Sequence, residues 1–397
     1  MNKPAIEGGK PVREDYIVFG KPEIGKEEIE DVVKVLKSGW LSTGPQVELF
    51  ENNIKEYLGC KNAIAVNSCT AALHLSLLCS GITKGDEVIV TPMTFGATVN
   101  VIEHVGAKPV FVDIKKDSYN IDANKIQQAI TSKTKAIIPV HFAGLPCDMD
   151  VINKIAKENN LKVIEDAAHA IGAEYKSKKI GNSENLTCFS FYVTKNVCAG
   201  DGGIVTLNDD DLAATIGNYA LHGLSKHAWQ RYSKEGIKTY QVIYPGYKYK
   251  MGDINAAIAN NQLKKLDRFN SIREKYAKIY FNAFKSNDLI ELPATKPNRK
   301  SSWHLFPILL NLDKLNISRL KFMEALKHEG VGSGIHYTSM HLQPYYKEKY
   351  GYKEGMFERA EYVGERTVSI PLQTSISEDD INDIINAVEK ILNYYKK

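Results

Sequence analysis

The chain has 397 residues, 43% hydrophobic and 25% charged, which is typical of a folded enzyme. Its net charge is only +4 and no basic stripe is present, so the sequence does not indicate a nucleic-acid-binding protein. The six cysteines form no CxxC pair and no metal-binding spacing with histidine. No apolar run reaches the roughly 18 residues of a membrane span, and the N-terminus lacks the apolar core of a signal peptide. We therefore expect a cytoplasmic protein without a metal site, a nucleic-acid partner or a membrane partner.

Helical patterns alternate with short runs of β-branched residues from residue 24 to about 210. A helix is predicted over residues 24–37, and a strand over residues 62–66 runs directly into a helix over residues 70–78. Further strands are predicted at residues 87–90, 109–113, 136–140 and 162–165. Because continuous apolar strands separated by helices are typical of parallel strands buried on both faces, the sequence predicts an α/β fold with a mostly parallel sheet.

The pattern changes after about residue 185. Strands are predicted at residues 186–191 and 204–207, and a long helix over residues 254–285 leads away from the sheet. A strand at residues 305–310 and helices over residues 318–329 and 378–392 then indicate a small α+β unit. The sequence thus predicts a large α/β domain with an N-terminal arm (residues 1–265), followed by a linking helix and a small C-terminal α+β domain (residues 266–397).

Polar residues follow the predicted strands at their carboxyl ends, where open α/β sheets bind ligands. Ser68 begins the helix after the first strand, and the backbone N–H groups of such a helix start suit a phosphate, although Ser68 could serve only as an N-cap. Asp166 ends a strand beside two alanines. Its carboxylate could hydrogen-bond a pyridinium nitrogen, or it could only cap a helix or join an ion pair. His169 could face the same cavity or be packed in the core.

A lysine lies between an apolar strand and a glycine-rich turn. Lys195 follows residues 189–193 (FSFYV) and precedes residues 200–203 (GDGG). An apolar setting would desolvate the amine, lower its pKa and favour imine formation, whereas most single lysines are solvated surface charges. The residues alone leave both interpretations open.

These motifs, in this order and spacing, closely resemble the DegT/DnrJ family of sugar aminotransferases. The resemblance runs nearly end to end and includes residues 38–45 (SGWLSTGP), 165–170 (EDAAHA), 189–196 (FSFYVTKN), 202–203 (GG), 253–258 (DINAAI), 336–337 (HY) and 341–346 (HLQPYY). It implies the fold of the fold-type I pyridoxal-phosphate transferases and a homodimer with its active sites at the interface.

The resemblance also implies how the chain uses pyridoxal 5'-phosphate as its cofactor. Lys195 would form an imine with the cofactor and, once freed by the substrate amine, move a proton between the substrate Cα and the cofactor C4′. Asp166 would pair with the pyridine nitrogen, and His169 would contact the phenolic oxygen. Phe95 would stack on the face of the ring.

By the same resemblance, the cofactor phosphate lies at the start of the helix after residue 66. Cys69, Thr70 and Ser190 would hold it through backbone amides and hydroxyl groups. Many family members have Gly or Ala in the place of Cys69, so this position is expected to act through its amide. Lys248 stands where many members have an Asn that reaches the phosphate across the dimer interface, and a lysine can bind phosphate as a point charge.

Several segments resemble the branch of the family that aminates UDP- or dTDP-4-keto sugars with L-glutamate, which leaves as 2-oxoglutarate. The type that makes UDP-4-amino-4-deoxy-L-arabinose is the nearest in this respect. Aromatic and imidazole side chains suit sugar and uracil faces, and the candidate substrate-binding residues are Trp40, Trp229, Tyr232, His336, Tyr337 and His341. Trp40 and Tyr337 could instead be packed at an interface.

Other functions share parts of this pattern. Family members also act on 3-keto sugars and keto-inositols, and the opening at residues 8–13 (GGKPVR) is shared with the inositol group. A nicotinamide-dependent oxidoreductase would need a Gly-x-Gly-x-x-Gly turn after its first strand, which is absent. A dehydratase of this fold has His in the place of the imine-forming lysine, so Lys195 favours transamination. Lys195 and Asp166 together argue against a non-catalytic regulatory relative.

Overall fold

A central sheet of seven strands organises this computed structural model, which describes residues 3–224 and 241–397. In chain order, the strands of the described ranges are β1 (Asn62–Val66), β2 (Glu87–Val90), β3 (Lys108–Phe111), β4 (Thr134–Ile138), β5 (Lys162–Asp166), β6 (Glu174–Tyr175), β7 (Lys178–Lys179), β8 (Leu186–Ser190), β9 (Gly203–Leu207), β10 (Ile290–Glu291), β11 (Arg299–Lys300), β12 (Phe306–Leu310) and β13 (Thr367–Ile370). The helices are α1 (Lys26–Ser38), α2 (Pro45–Leu58), α3 (Cys69–Cys79), α4 (Gly96–His104), α5 (Ala123–Ala129), α6 (Met149–Glu158), α7 (Asp210–Tyr219), α8 (Asp253–Phe284), α9 (Arg319–His328), α10 (Pro344–Tyr350), α11 (Glu358–Arg366) and α12 (Glu378–Tyr395).

The strand order in the central sheet is β1-β9-β8-β5-β4-β2-β3. Only β9 runs antiparallel to its neighbours in this sheet, β1 and β8, and the other pairs are parallel. The predicted mostly parallel α/β sheet is therefore confirmed. Because of this topology, the carboxyl ends of six strands and the amino end of β9 meet at one edge of the sheet.

Helices cover both faces of the sheet, because successive side chains of a strand point to opposite sides. On one face, Ile64 and Val66 of β1 pack with α3, α4 and α7. On the other face, Ala63 and Ala65 pack with α2 and the first half of α8, and the parallel strands farther along pack with α5 and α6. Helix α3 is buried almost all round, so its N-terminus is held firmly at the edge of the sheet.

A smaller unit follows α8. Strands β10, β12 and β13 form an antiparallel sheet that packs with α9, α12 and the second half of α8. This is the predicted C-terminal α+β unit. The division at residue 265 stays a prediction, since α8 is continuous across that position. In the described ranges, no helix combines the length and the apolar character that a membrane crossing requires.

The N-terminal arm contacts the small unit, although the sequence grouped it with the large one. The buried carboxylate of Glu329 accepts hydrogen bonds from the backbone amides of Ala5 at 2.8 Å and Val12 at 2.9 Å. The guanidinium of Arg13 forms an ion pair with Asp380 of α12 at 2.6 Å. The arm is thus held by polar residues that lie more than 300 positions later in the sequence. Local sequence patterns do not reveal such contacts.

Candidate active site

A cavity of about 390 Å³ lies at the edge of the sheet where the strand carboxyl ends meet. It brings together most of the residues that the sequence singled out, and its lining includes Cys69, Thr70, Phe95, Asp166, His169, Ser190, Lys195, His336 and Tyr337. A larger, open groove of about 650 Å³ runs beside α6, and none of the predicted site residues that the structure describes lines it. The chemistry therefore belongs to the smaller cavity.

Lys195 lies in a tight turn after β8, with its amide donating to the carbonyl of Tyr192 at 2.9 Å. Desolvation in the cavity lowers the pKa of its amine to about 8, and the negative charge of Asp166 partly opposes this shift. The amine Nζ lies 3.5 Å from Nε2 of His304. The interpretation of Lys195 as a solvated surface charge is thus wrong, since the amine is desolvated in the cavity and a fraction of it is neutral at physiological pH.

Asp166 ends β5 at the bottom of the cavity. Its Oδ2 accepts a hydrogen bond from the hydroxyl of Thr98 at 2.7 Å, and its Oδ1 accepts one from the amide of Ala168 at 3.1 Å. Burial raises the pKa of this carboxyl, while both hydrogen bonds and the charge of Lys195 oppose the rise. The two donors fix the plane of the carboxylate, which is what a partner for a ring nitrogen requires.

His169 is held from both sides of its ring. Nδ1 accepts a hydrogen bond from the amide of Ala143 at 3.3 Å, and Nε2 lies 3.0 Å from the hydroxyl of Tyr337. Burial and the nearby charge of Lys195 hold the pKa of His169 well below its usual value, so the ring is neutral. Since Nδ1 accepts, the proton resides on Nε2 and is donated to Tyr337. The Tyr337 hydroxyl is then free to donate its own proton.

The start of α3 forms one wall of the cavity. Ser68 is the N-cap, as its hydroxyl accepts from the amide of Ala71 at 3.1 Å. The amides of Cys69 and Thr70 belong to the first turn and have no acceptor within the helix, so they can bind an anion. The thiol of Cys69 points toward the carbonyl of Cys188, with Sγ 3.6 Å from the oxygen. Burial raises the thiol pKa well above its usual value, so Cys69 stays neutral and does not repel a phosphate.

Phe95 and Ser190 complete the set of cofactor candidates at the cavity. The Phe95 side chain is 64% exposed and stands 6.0 Å from the ring of Tyr337, between centroids. It therefore offers a free ring face to a flat ligand. Ser190 ends β8, and its hydroxyl accepts from the amide of Tyr192 at 3.3 Å.

Three of the predicted residues that the structure describes stand apart from this cavity. His341 is wrongly predicted as a substrate contact: it is fully buried, and Nε2 pairs with Glu361 at 2.9 Å against the ring of Phe357. Both partners lie outside the local motif of His341, which explains the error. Lys248 and Trp40 do not line this cavity. Trp229 and Tyr232 lie outside the described residues.

His304, which contacts the Lys195 amine, was not predicted from the sequence. The side chain of Asn196 donates to Asn270 Oδ1 at 2.8 Å and to the Ser302 carbonyl at 2.7 Å, which fixes its amide orientation. Its oxygen must then accept from Nδ1 of His304, 3.0 Å away. Burial keeps the pKa of His304 well below its usual value, so the lone pair of neutral Nε2 faces Lys195. A histidine inside the apolar run 303–310 (WHLFPILL) is the one signal that could have revealed it.

Comparison with known proteins decides the family. The sequence model of the DegT/DnrJ/EryC1/StrS aminotransferase family matches residues 22–389. The chain belongs to this family.

Relatives of this family match the chain over nearly its whole length. Protein MJ1066 of Methanocaldococcus jannaschii is 50% identical over 96% of this chain and 99% of its own. The spore coat polysaccharide biosynthesis protein SpsC of Bacillus subtilis is 45% identical over 96% of this chain and 98% of its own. The PLP-form of the putative sugar aminotransferase Spr1654 from Streptococcus pneumoniae superposes with a TM-score of 0.88 at 30% identity, covering 96% of this chain and 99% of that one. The same protein is also known in a PMP-form.

The family establishes the broad activity. The protein is a pyridoxal-phosphate-dependent sugar aminotransferase, which acts on a keto sugar and an amino donor. The residues of the cavity fit this cofactor. The cavity is lined by the anchored carboxylate of Asp166, the partly neutral amine of Lys195 and the exposed ring of Phe95, and the start of α3 offers it amides suited to a phosphate.

Proposed function

We propose that the enzyme transfers the amino group of L-glutamate to a 4-keto sugar linked to UDP or dTDP, which yields a 4-amino sugar and 2-oxoglutarate. The observation that carries this proposal is the division of the cavity. Its inner end holds Asp166 and Lys195, and its mouth is aromatic and open, with Phe95 and the 49% exposed Tyr192. A sugar nucleotide is too large for about 390 Å³ and would extend through this mouth into solvent.

The residues of the chain provide the chemistry around the cofactor. Pyridoxal phosphate, when bound, supplies an electron sink for the electrons left behind when a C–H bond breaks. Lys195, with a pKa of about 8, can take up and release a proton near neutral pH. Asp166 would hold a proton on the ring nitrogen, and the Tyr337 hydroxyl would donate to an oxygen in the cavity.

The polar rim suits a sugar. Burial lowers the pKa of His336 to about 4, so its ring is neutral, and Nδ1 lies 2.9 Å from the hydroxyl of Ser369. A neutral imidazole can donate to or accept from sugar hydroxyls without a charge penalty. The relative SpsC carries a name from polysaccharide biosynthesis, and polysaccharide units are transferred from nucleotide sugars. This supports a nucleotide-linked substrate here.

We also propose that the enzyme is a homodimer with its sites near the interface. One face of α1 exposes Ile29, Val33 and Leu36, at 59%, 41% and 53%. These residues recur at helical spacing, so they form a continuous apolar surface. The opposite face of α1 is anchored to α8 through Glu28 and Lys265, whose charged atoms are 2.9 Å apart. The helix is thus firmly placed with an apolar side outward, as an interface requires.

The inositol alternative loses its sequence support. Residues 8–13 were the feature shared with keto-inositol enzymes, but Val12 and Arg13 bind Glu329 and Asp380 of the small unit. None of these residues lines the cavity of its own subunit. The contacts of the opening motif are therefore structural, and they do not favour a keto-inositol as the acceptor.

A labelling experiment tests the proposed reaction. The enzyme with pyridoxal phosphate and L-glutamate bearing heavy nitrogen is mixed with UDP- and dTDP-4-keto sugars, with 3-keto sugars and with a keto-inositol. We expect heavy nitrogen to appear, by mass spectrometry, in a 4-amino sugar nucleotide. Lys195→Ala is the control and should give no labelled product. Labelling of only a 3-keto sugar or the inositol would refute the proposed acceptor.

A further inference from the structure

A second, smaller cavity of about 40 Å³ lies behind Lys195. Thr194, Lys195 and His336 line both cavities, so the small one adjoins the active site. A single water needs roughly 10–15 Å³ by this measure, so the small cavity has room for about three non-hydrogen atoms. That is the size of a carboxylate group.

Arg273 of α8 lines this small cavity and is only 6% exposed. Its Nη1 donates to two backbone carbonyls, those of His304 at 3.4 Å and Leu372 at 3.2 Å. Its Nε is buried and has no hydrogen-bond partner within residues 3–224 and 241–397. A buried guanidinium with a free N–H is costly unless an anion pairs with it.

No acid among the described residues forms a salt bridge with this charge. Burial alone lowers the pKa of Arg273 to about 10, and it stays a cation at physiological pH. His304 and His336, which share the small cavity, are neutral because burial lowers the pKa of each. Asp166 lines the main cavity and not the small one. The small cavity is thus positively charged, and no described residue supplies a counter-ion.

We propose that the small cavity binds the α-carboxylate of the amino donor through Arg273. This rests on the proposed donor, an α-amino acid, whose nitrogen must come to the place of the Lys195 amine. Because that amine borders both cavities, the carboxylate of the same carbon can lie on the Arg273 side. The planar guanidinium fork of Arg273, which lines the small cavity, suits a carboxylate through two parallel hydrogen bonds.

The test compares two substitutions with a matched control. Arg273→Met removes the cation and Arg273→Lys keeps a charge without the fork. Arg319→Met is the control, because Arg319 is a partly buried arginine whose Nε is also buried and unpartnered among the described residues, but it donates to the Gly364 carbonyl and lies away from both cavities. Conversion of the pyridoxal form by L-glutamate is followed by absorbance without any sugar. The sugar-dependent return from the aminated cofactor is measured separately.

We expect Arg273→Met to weaken the apparent affinity for L-glutamate by about 10- to 100-fold and Arg273→Lys by about tenfold. Arg319→Met should leave this affinity unchanged, and all variants should keep the wild-type affinity for the sugar. γ-Aminobutyrate lacks the α-carboxylate, so we expect the wild type to bind it weakly and Arg273→Met to weaken it no further.

Several results would overturn the inference. Equal L-glutamate affinity in Arg273→Met and Arg319→Met would refute the subsite alone, as would a wild type that accepts γ-aminobutyrate as readily as L-glutamate. If no α-amino acid converted the pyridoxal form of the wild type to the aminated form, both the proposed amino donor and the carboxylate subsite would be refuted. Should Arg273→Met not fold, calorimetric binding of 2-oxoglutarate to the aminated form of the wild type and of Arg273→Lys decides the question, and equal affinities would again refute the subsite.

Discussion

Lys195 loses most of its hydration in the cavity, and the pKa of its amine falls from an ordinary 10.5 to about 8. At pH 7, about a tenth of such an amine is neutral, against less than about a thousandth of an ordinary lysine. The lowered pKa thus makes the Lys195 amine both a better nucleophile and a better proton carrier near neutral pH. His304 adds orientation, since its fixed lone pair leaves the Nζ proton a defined acceptor.

We expect the rate at which cofactor-free enzyme captures pyridoxal phosphate to rise with pH through a midpoint near pH 8 and to level off at higher pH. Only the unprotonated Lys195 amine attacks the aldehyde, so the pKa of about 8 sets the midpoint. Stopped-flow absorbance from pH 6 to 10 measures it. A small free amine with an ordinary pKa is the control, which corrects for ionisation of the cofactor. A midpoint above pH 10 would contradict the depressed pKa.

The sequence predicted the candidate catalytic residues near the strand ends better than it predicted the residues that contact and orient them. Asp166, His169 and Lys195 lie in short motifs beside predicted strands, and all three line one cavity. His304 and Arg273 come from distant segments, and only the docking of the small unit brings them to Lys195. His341 shows the converse, because its buried partner Glu361 could not be read from the local motif.

At the scale of elements, the contact between β9 and the start of α3 shapes the predicted phosphate site. Gly203 begins β9, and a Cβ there would lie 2.4 Å from the Ser68 carbonyl carbon and 2.5 Å from the Cys69 amide nitrogen. Both atoms are backbone, so they cannot move aside as a flexible side chain could. The glycine lets the antiparallel strand approach the helix N-terminus closely.

Gly203→Ala should therefore separate β9 from α3. We expect a loss of about 1–3 kcal/mol in the free energy of unfolding, together with weaker binding of pyridoxal phosphate. Denaturant unfolding and cofactor titration measure the two effects. Gly217→Ala is the control: it lies in α7 with nothing within 4 Å of its Cβ position, and it should stabilise the protein by about 0.5–1 kcal/mol. Cofactor affinity equal in both variants would contradict this role for Gly203.

Most elements could be predicted from the sequence, within a few residues at their ends. The strands predicted at residues 62–66 and 87–90 coincide with β1 and β2. The long helix α8 begins and ends one residue earlier than the predicted helix over residues 254–285. These segments have a strong local pattern that burial on the sheet then reinforces. The order of the strands and the docking of the arm depend on non-local pairing and could not be read from local patterns.

At the scale of the whole molecule, the apolar face of α1 should hold two copies together. We expect the enzyme to have twice the mass of the 44.4 kDa chain in solution, and Ile29→Lys with Leu36→Lys to make it monomeric. Two buried charges would be left unpaired in the interface. Light scattering after size exclusion measures the mass. Leu320→Lys is the control, because Leu320 is 66% exposed on α9 of the small unit, and it should stay dimeric. A dimeric double variant would refute this interface.

The arm also joins the two ends of the chain. The amine of Lys390 in α12 donates to the carbonyl of Lys10 at 2.6 Å and pairs with Glu329, which in turn binds Ala5. The arm leaves the ribosome long before α12 is synthesised. Its contacts with Asp380 and Lys390 of α12 can therefore form only after α12 has emerged, and a nascent chain exposes the arm's docking surface until then.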